Sequence, residues 1–372
     1  MFQPLPKKDN RPSIRNEPSP MSNAIDRSPR LQTDPGAVGA SLASLPLQLS
    51  AAVKQFRTLR LPRTYRGLTS IMVGGMGGSH LAADIIRSAY TTKLRVPLHI
   101  VSDYSLPAWV GPRTLVVISS YSGGTEEAIA LLDAALARRA KVVVVTAGGK
   151  LARRARRWHV PLALYDPREN ISHQPRLGVA YSLVAMLRIF SSLGYVPLAT
   201  GELTALIAAA TRAGKKYGPD MQTKSNRAKQ LALRLYRHLP ILIGSEWMAG
   251  NLVTWRNQLH ENAKTWAETA LIPELNHHLL EGLRDRTIAR RLVAVMLDDA
   301  RIHPRNQKRL RITSGILKKL GVRVERVRFG QSPAPAIDLL SFGGYVSWYL
   351  SILHDIDPAP IPTVDELKHR LA

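Results

Sequence analysis

Val116-Val-Ile-Ser-Ser-Tyr-Ser-Gly-Gly-Thr-Glu-Glu127 is the stretch that decides how the rest of the chain reads. Strand-like residues run into Ser120-Tyr121-Ser122-Gly123-Gly124-Thr125, and a helical pattern follows. Hydroxyls and backbone N–H groups therefore crowd together where a strand hands over to a helix. The first turn of a helix has free N–H donors and partial positive charge, so such a junction suits an anion. Glycine lets the backbone come close, and Ser or Thr adds donors without bulk. Helix capping is the plain alternative for any one of these hydroxyls. Three hydroxyls and two glycines between Ser120 and Thr125 favour a phosphate site.

Outward from this junction, strand and helix patterns alternate. Ser70–Val73 is an apolar run that ends in Gly74-Gly75-Met76-Gly77-Gly78-Ser79-His80, followed by a helix to about Tyr90. Pro97–Val101, Thr114–Ser119, Lys141–Thr146 and Val160–Tyr165 are further strands, and Pro175–Leu193 reads as a closing helix. Near-continuous apolar strands between helices imply an α/β fold with a parallel sheet covered on both faces. Helical sequence fills most of Thr200–Leu239. Pro240–Ser245 then restarts the pattern, with strands at Arg291–Leu297 and Val322–Phe329 and helices at Arg305–Leu320 and Ala336–His354. At 372 residues the chain suits two domains. The expected division is an extension over 1–36, a first domain over 37–200 and a second over 201–372, with the boundary near 196–215. The extension holds seven prolines among polar and basic residues and is expected to be disordered. Residues 37–59 read as one helix.

The composition sets limits. There is no cysteine, which removes disulfides, thiol nucleophiles and cysteine-bound metal. No stretch approaches 18 uninterrupted apolar residues, and the first residues lack an apolar signal core, so no membrane span is expected and the cytoplasm is the expected compartment. The net charge of +25 comes from 52 basic and 27 acidic residues. The basic residues are scattered over helices rather than gathered in a tract with aromatics, which favours a solvated basic surface over a nucleic-acid binder. Such a surface would still attract a phosphorylated substrate.

In open parallel sheets, ligands sit beyond the carboxyl ends of the strands. The loops that carry Gly77-Gly78-Ser79 and Ser120–Thr125 both leave strand ends and can line one crevice. The spacing GGMGGS is not the dinucleotide pattern GxGxxG, and a single phosphate fits the hydroxyl loop better. No cofactor is expected. A second region holds Gln258-Leu259-His260-Glu261-Asn262-Ala263-Lys264, with Asn276-His277 beyond it. Chemistry at a sugar carbonyl needs a carboxylate for a carbon-bound proton and a group to move protons on oxygen. By spacing alone Glu261 reads as a solvated charge and His277 as a loop residue. Asn262-Ala263-Lys264 after His260-Glu261 breaks any H-E-x-x-H pattern, so no metal site is expected.

GGMGGS at 74–79, SSYSGGTEE at 119–127, TAGGKL at 146–151, HENAK at 260–264 and PELNH at 273–277 occur together in this order. In this the chain resembles the bifunctional phosphoglucose/phosphomannose isomerases of the sugar isomerase (SIS) superfamily, over about residues 45–372. The resemblance implies two SIS domains, each a flavodoxin-like parallel sheet sandwiched by helices. It implies a homodimer whose active site is shared between subunits. It also implies metal-independent interconversion of glucose 6-phosphate, often also mannose 6-phosphate, with fructose 6-phosphate through a cis-enediol. By motif position, Ser79, Ser120, Ser122 and Thr125 would hold the phosphate, with the Gly78 N–H. Glu261 would be the base, and His277 would open the ring from the neighbouring subunit. Arg176 would stabilise the enediolate, and Lys368 would lie near the sugar ring. Two residues depart from the pattern: Gly124 replaces an Asn, and Ala359 stands where members often carry a hydroxyl. A non-catalytic SIS-domain sensor of sugar phosphates is the second reading; the HENAK and PELNH motifs favour the enzyme. A glucosamine-forming amidotransferase would need a cysteine nucleophile, which the chain lacks.

Overall fold

The computed structural model describes residues 24–330 and 332–371. Two all-parallel sheets organise them. The first contains β1 (Ser70–Gly74), β2 (Leu98–Val101), β3 (Thr114–Ser120), β4 (Lys141–Thr146) and β5 (Leu162–Leu164), in the order β2-β1-β3-β4-β5. The second contains β6 (Leu239–Gly244), β7 (Glu268–Leu271), β8 (Leu292–Asp298) and β9 (Arg323–Arg328), in the order β7-β6-β8-β9. The second order repeats the first without its fifth strand. The first is the flavodoxin-like arrangement, whose switch point lies between its first and third strands.

Helices α1 (Pro29–Thr33), α2 (Val38–Ala43) and α3 (Leu45–Gln55) precede the first sheet, and α4 (Leu81–Ala89), α5 (Glu126–Ala137), α6 (Gly149–Arg157) and α7 (Val179–Ser192) follow its strands. Then come α8 (Glu202–Tyr217), α9 (Arg227–Leu235), α10 (Ala249–Ala263), α11 (Arg286–Ala289), α12 (Pro304–Leu320), α13 (Pro335–Leu353) and α14 (Pro362–Leu371).

Alternation along the strands explains the layers of the first unit. Ile71, Val73, Leu115, Val117, Val143 and Val145 pack with α3, α4 and α7. Met72, Val116, Ile118, Val142 and Val144 pack on the other side with α5 and α6. Successive residues of a strand point to opposite faces, so a strand covered twice must be apolar throughout. In the second unit, α13 is the central helix. It is long and apolar enough to cross a bilayer, but 89% of that apolar window is buried inside the protein.

Three differences from the sequence reading have physical causes. Residues 37–59 form two helices, not one. The break falls at Ser44, and α2 and α3 are bent by 68°. Pro46 has no N–H to give the Leu42 carbonyl and its ring crowds that carbonyl, so one helix cannot run through, whereas proline suits the first turn of α3. Second, β7 is a strand that the sequence did not announce. It is a four-residue edge strand with an exposed Glu268, so it lacks the apolar run of a central strand. Third, residues 24–36 of the expected disordered extension belong to the fold; 1–23 lie outside the described residues. Ile25 is fully buried in the core of the second unit, along with Val38 and Leu42. Asp26 accepts a 2.7 Å hydrogen bond from the buried Lys229 ammonium.

Candidate active site

The two loops expected to hold phosphate meet at the switch point. Ser79 closes the turn after β1 and is nearly buried. Its Oγ accepts from the Tyr121 N–H at 3.0 Å, while its carbonyl accepts from Ser119 Oγ at 2.7 Å. Ser120 Oγ pairs with Thr125 Oγ1 at 2.8 Å and accepts from the Gly123 N–H at 3.1 Å. Ser122 Oγ accepts from the Gly124 N–H at 3.2 Å. Thr125 is the N-cap residue of α5, yet its side chain caps none of the helix N–H groups. Plain capping therefore does not account for this hydroxyl, and the first-turn donors of α5 remain for an anion.

The hydroxyls divide their duties. Ser120 is fully buried and its hydroxyl shapes the loop from within. Ser122 is exposed and Thr125 half-buried, so these two can reach a ligand. Gly78 has a different reason to be glycine: a Cβ there would lie 2.8 Å from the Arg176 backbone nitrogen. The β1 loop thus runs directly against the turn Pro175–Leu177 that carries Arg176.

Arg176 joins the two units. Its side chain is fully buried. Nε donates to Asn262 Oδ1 at 2.6 Å, and Nη1 donates to Gln174 Oε1 at 2.8 Å and Glu261 Oε2 at 3.1 Å. Nη2 donates to the carbonyls of Pro358 at 2.8 Å and Ala359 at 3.0 Å. Burial pushes the guanidinium below its ordinary pKa, against the pull of Glu261. Glu261 sits in the last turn of α10 with its carboxylate 26% exposed. It therefore has one oxygen on a buried cation and access to a ligand from outside.

Lys264 and Asn262 belong to the site, though the sequence reading gave them no role. Lys264 takes a left-handed conformation as the C-cap of α10. Its Nζ donates to the carbonyls of Glu261 at 2.6 Å, Pro360 at 2.6 Å and Pro358 at 3.2 Å. Burial first, and then Arg176, push its pKa below the usual lysine range. Asn262 passes the network on to Ser347 of α13 at 3.0 Å. Their membership of the HENAK run was the available signal.

Two expected residues lie apart from this group. His277 is exposed on a short turn after β7. Lys368 lies on α14, none of whose residues is buried, and its Nζ faces Asp365 at 3.7 Å. Among the described residues, neither is bonded to Arg176, Glu261 or the hydroxyl loop.

The chain as a whole is similar to known proteins. A profile described as the bacterial phospho-glucose isomerase C-terminal SIS domain matches residues 224–371. A bifunctional phosphoglucose/phosphomannose isomerase from Caldicellulosiruptor bescii is 31% identical over 341 residues, covering 89% of this chain and 98% of that protein. The chain belongs to the bifunctional phosphoglucose/phosphomannose isomerase family. Another member, from Aquifex aeolicus, is 27% identical and covers 82% of this chain and 91% of its own. Among solved structures, a hypothetical protein from Thermus thermophilus superposes with a TM-score of 0.72 over 95% of each chain, at 18% identity. Tagatose-6-phosphate ketose/aldose isomerase from Escherichia coli superposes with a TM-score of 0.55 at 15% identity, over 89% of this chain and 94% of its own. These structural likenesses show the α/β fold of paired parallel sheets.

Proposed function

We propose that this protein is an aldose–ketose isomerase that interconverts glucose 6-phosphate, and at the same site mannose 6-phosphate, with fructose 6-phosphate. Membership of the isomerase family supports the reaction class. The observation that carries the mechanism is the Glu261 carboxylate, held at 3.1 Å by a buried arginine and partly open to a ligand.

In this reading the phosphate rests on the Gly78 loop, the Ser122 and Thr125 hydroxyls and the N-terminus of α5. That remote binding energy positions C1 and C2 of the open chain. Glu261 takes the proton from one carbon and returns it to the other, so a single carboxylate serves both directions. As Glu261 accepts that proton it loses its charge. The Nη1–H that bonded it is then released towards the enediolate oxygen, and the Arg176 charge offsets the developing negative charge. His277 opens the ring from a second subunit, and Lys368 lies near the sugar ring. His277 is exposed, consistent with action across a subunit boundary. Gly124 keeps a backbone N–H where a side-chain amide is missing.

The test is a coupled assay of purified, metal-free protein with fructose 6-phosphate, reading glucose 6-phosphate and mannose 6-phosphate separately. Both products are expected. Glucose 6-phosphate alone would restrict the reading to phosphoglucose isomerase. Binding of fructose 6-phosphate with neither product would favour a sugar-phosphate sensor instead.

A further inference from the structure

The strands of the first sheet are all parallel, so their amino ends share one edge of the unit. The Ser79 loop and the Ser120–Thr125 loop leave the opposite edge. Along the sequence, the basic residues that precede the strands look scattered over separate helices and loops. The topology gathers them. β1 is entered after Arg63 and Arg66, β2 after Arg95 and β3 after Arg113. β4 follows Arg138 and Arg139, at the end of α5, and β5 follows Arg156 and Arg157, at the end of α6. A helix that links two parallel strands has to return the chain to this edge, which is why both helix ends arrive here. All of these arginines are exposed.

Nothing acidic is placed to neutralise them. Residues 57–69, 90–97, 107–113, 138–141 and 156–161, which lead into the strands, contain no Asp or Glu. Among the described residues, none of these arginines has a carboxylate within ion-pair distance. The neighbouring cations that do are Arg154, paired with Asp133, and Lys93, paired with Glu202 at 3.1 Å. Arg138 Nη1 donates to the Pro107 carbonyl at 2.6 Å. That bond ties the end of α5 to the segment before β3 and leaves the charge uncompensated.

Aromatic rings accompany the charge. Two of the three exposed tryptophans among the described residues belong to these segments. Trp158 follows Arg157, whose guanidinium lies over the indole at 5.8 Å. Trp109 lies in the segment that Arg138 holds, with its ring 4.8 Å from that of His99. Large exposed aromatics are the informative exception on a protein surface.

Unneutralised charge of one sign on one edge suits a polyanion. A second copy of the chain is a poor occupant, because a two-fold contact would set the arginines against themselves. Lysine would serve an anionic bilayer as well as arginine does. Here every unpaired cation named is arginine, whose planar fork meets phosphate through two bonds and stacks on flat rings. Indole faces offer stacking to bases, and only an unpaired strand has bases free to use them.

We infer that this edge binds a single-stranded polynucleotide, with arginine forks on the phosphates and Trp158 and Trp109 against the bases. The inference stands apart from the isomerase reading, because the loops proposed to hold the sugar phosphate leave the opposite edge.

The probe is a fluorescein-labelled twelve-residue oligouridylate, titrated into the full chain and followed by anisotropy. Saturable binding is expected, with log Kd rising against log salt at a slope of about 3, the value for about four phosphates on a single strand. The quadruple variant Arg138→Gln, Arg139→Gln, Arg156→Gln, Arg157→Gln should weaken binding about a hundredfold at roughly 0.1 M salt. A charge-matched control on α12, Arg305→Gln, Lys308→Gln, Arg311→Gln, Lys318→Gln, should weaken it by less than about threefold. Trp158→Ala should cost about tenfold and leave the salt slope unchanged, because stacking releases no counterions. It serves with the control if the first quadruple variant loses its far-ultraviolet circular dichroism. A duplex of the same length should bind more weakly than the single strand. Equal weakening by the two quadruple variants, an unaffected Trp158→Ala, duplex binding as tight as single-strand binding, or displacement by fructose 6-phosphate would each overturn the proposal. So would tighter binding to phosphatidylserine vesicles than to the oligonucleotide, or no saturable binding.

Discussion

Arg176 has five N–H groups, and each has an acceptor: Asn262, Gln174, Glu261 and two carbonyls of the segment after α13. It is therefore a structural joint as well as the partner of the proposed base. Arg176→Ala would strand those acceptors in the interior. It should cost about 3–5 kcal/mol, the usual range when one member of a buried pair is removed, as read by denaturant unfolding. Arg176→Lys should recover little of this, because an ammonium lacks the planar fork. Glu261→Gln is different in kind. The amide oxygen can still accept from Nη1, so stability should hold within about 1 kcal/mol. Turnover should fall by roughly 10²–10⁴, while the Kd for fructose 6-phosphate stays nearly unchanged. Loss of binding with residual turnover would remove Glu261 from the role of base.

Elements explain what the sequence made legible and what it hid. The central strands could be read because each is covered twice and so is apolar throughout, as in Val142–Val145. That the two loops proposed to hold phosphate adjoin could be read because hydroxyls and glycines recur at strand ends. The network around Arg176 could not. Its partners lie 85 and 182 residues away in sequence, and no local pattern announces such a bond. Nor could the α4–α10 contact, which depends on Gly250, where a Cβ would lie 2.1 Å from the Asp84 carbonyl oxygen; it is an ordinary helical glycine until the partner backbone is seen. Gly250→Ala should push the helices apart and cost roughly 3 kcal/mol. Because one helix leads from the loop proposed to hold phosphate and the other carries Glu261, the same variant should lower kcat/KM by more than the unfolded fraction explains. A variant with reduced melting temperature and unaltered kcat/KM would separate helix packing from the site.

At the scale of the whole molecule, the chain ends matter more than their composition suggested. Prolines and charges made residues 24–36 look like an extension, yet Asp26 bonds the buried Lys229 ammonium, which also lies over the Tyr349 ring at 5.3 Å. Burial works to raise the Asp26 pKa, but the bonds from Lys229 and Thr223 outweigh it and hold the carboxyl below its ordinary 3.8. A carboxyl depressed on folding adds stability above its unfolded pKa and loses it as pH falls through the folded value. Asp26→Asn should therefore destabilise at neutral pH by roughly 3 kcal/mol and by progressively less below about pH 4. Denaturation midpoints of both proteins across that range would check the sign. At the other end of the chain, α14 exposes Val364, Leu367 and Leu371 together with Lys368. His277 is exposed as well, and among the described residues neither it nor Lys368 is bonded to the Glu261 network. If His277 serves the site of a second copy, two inactive proteins should restore each other. In a random mixture of Glu261→Gln and His277→Ala chains, about half the dimers are mixed, and one site of each mixed dimer has an intact Glu261 and an intact partner histidine. Activity should then recover to about a quarter of wild type after the subunits are dissociated and reassociated. No recovery, with mixed dimers demonstrated by mass, would place His277 in the site of its own chain or outside the reaction.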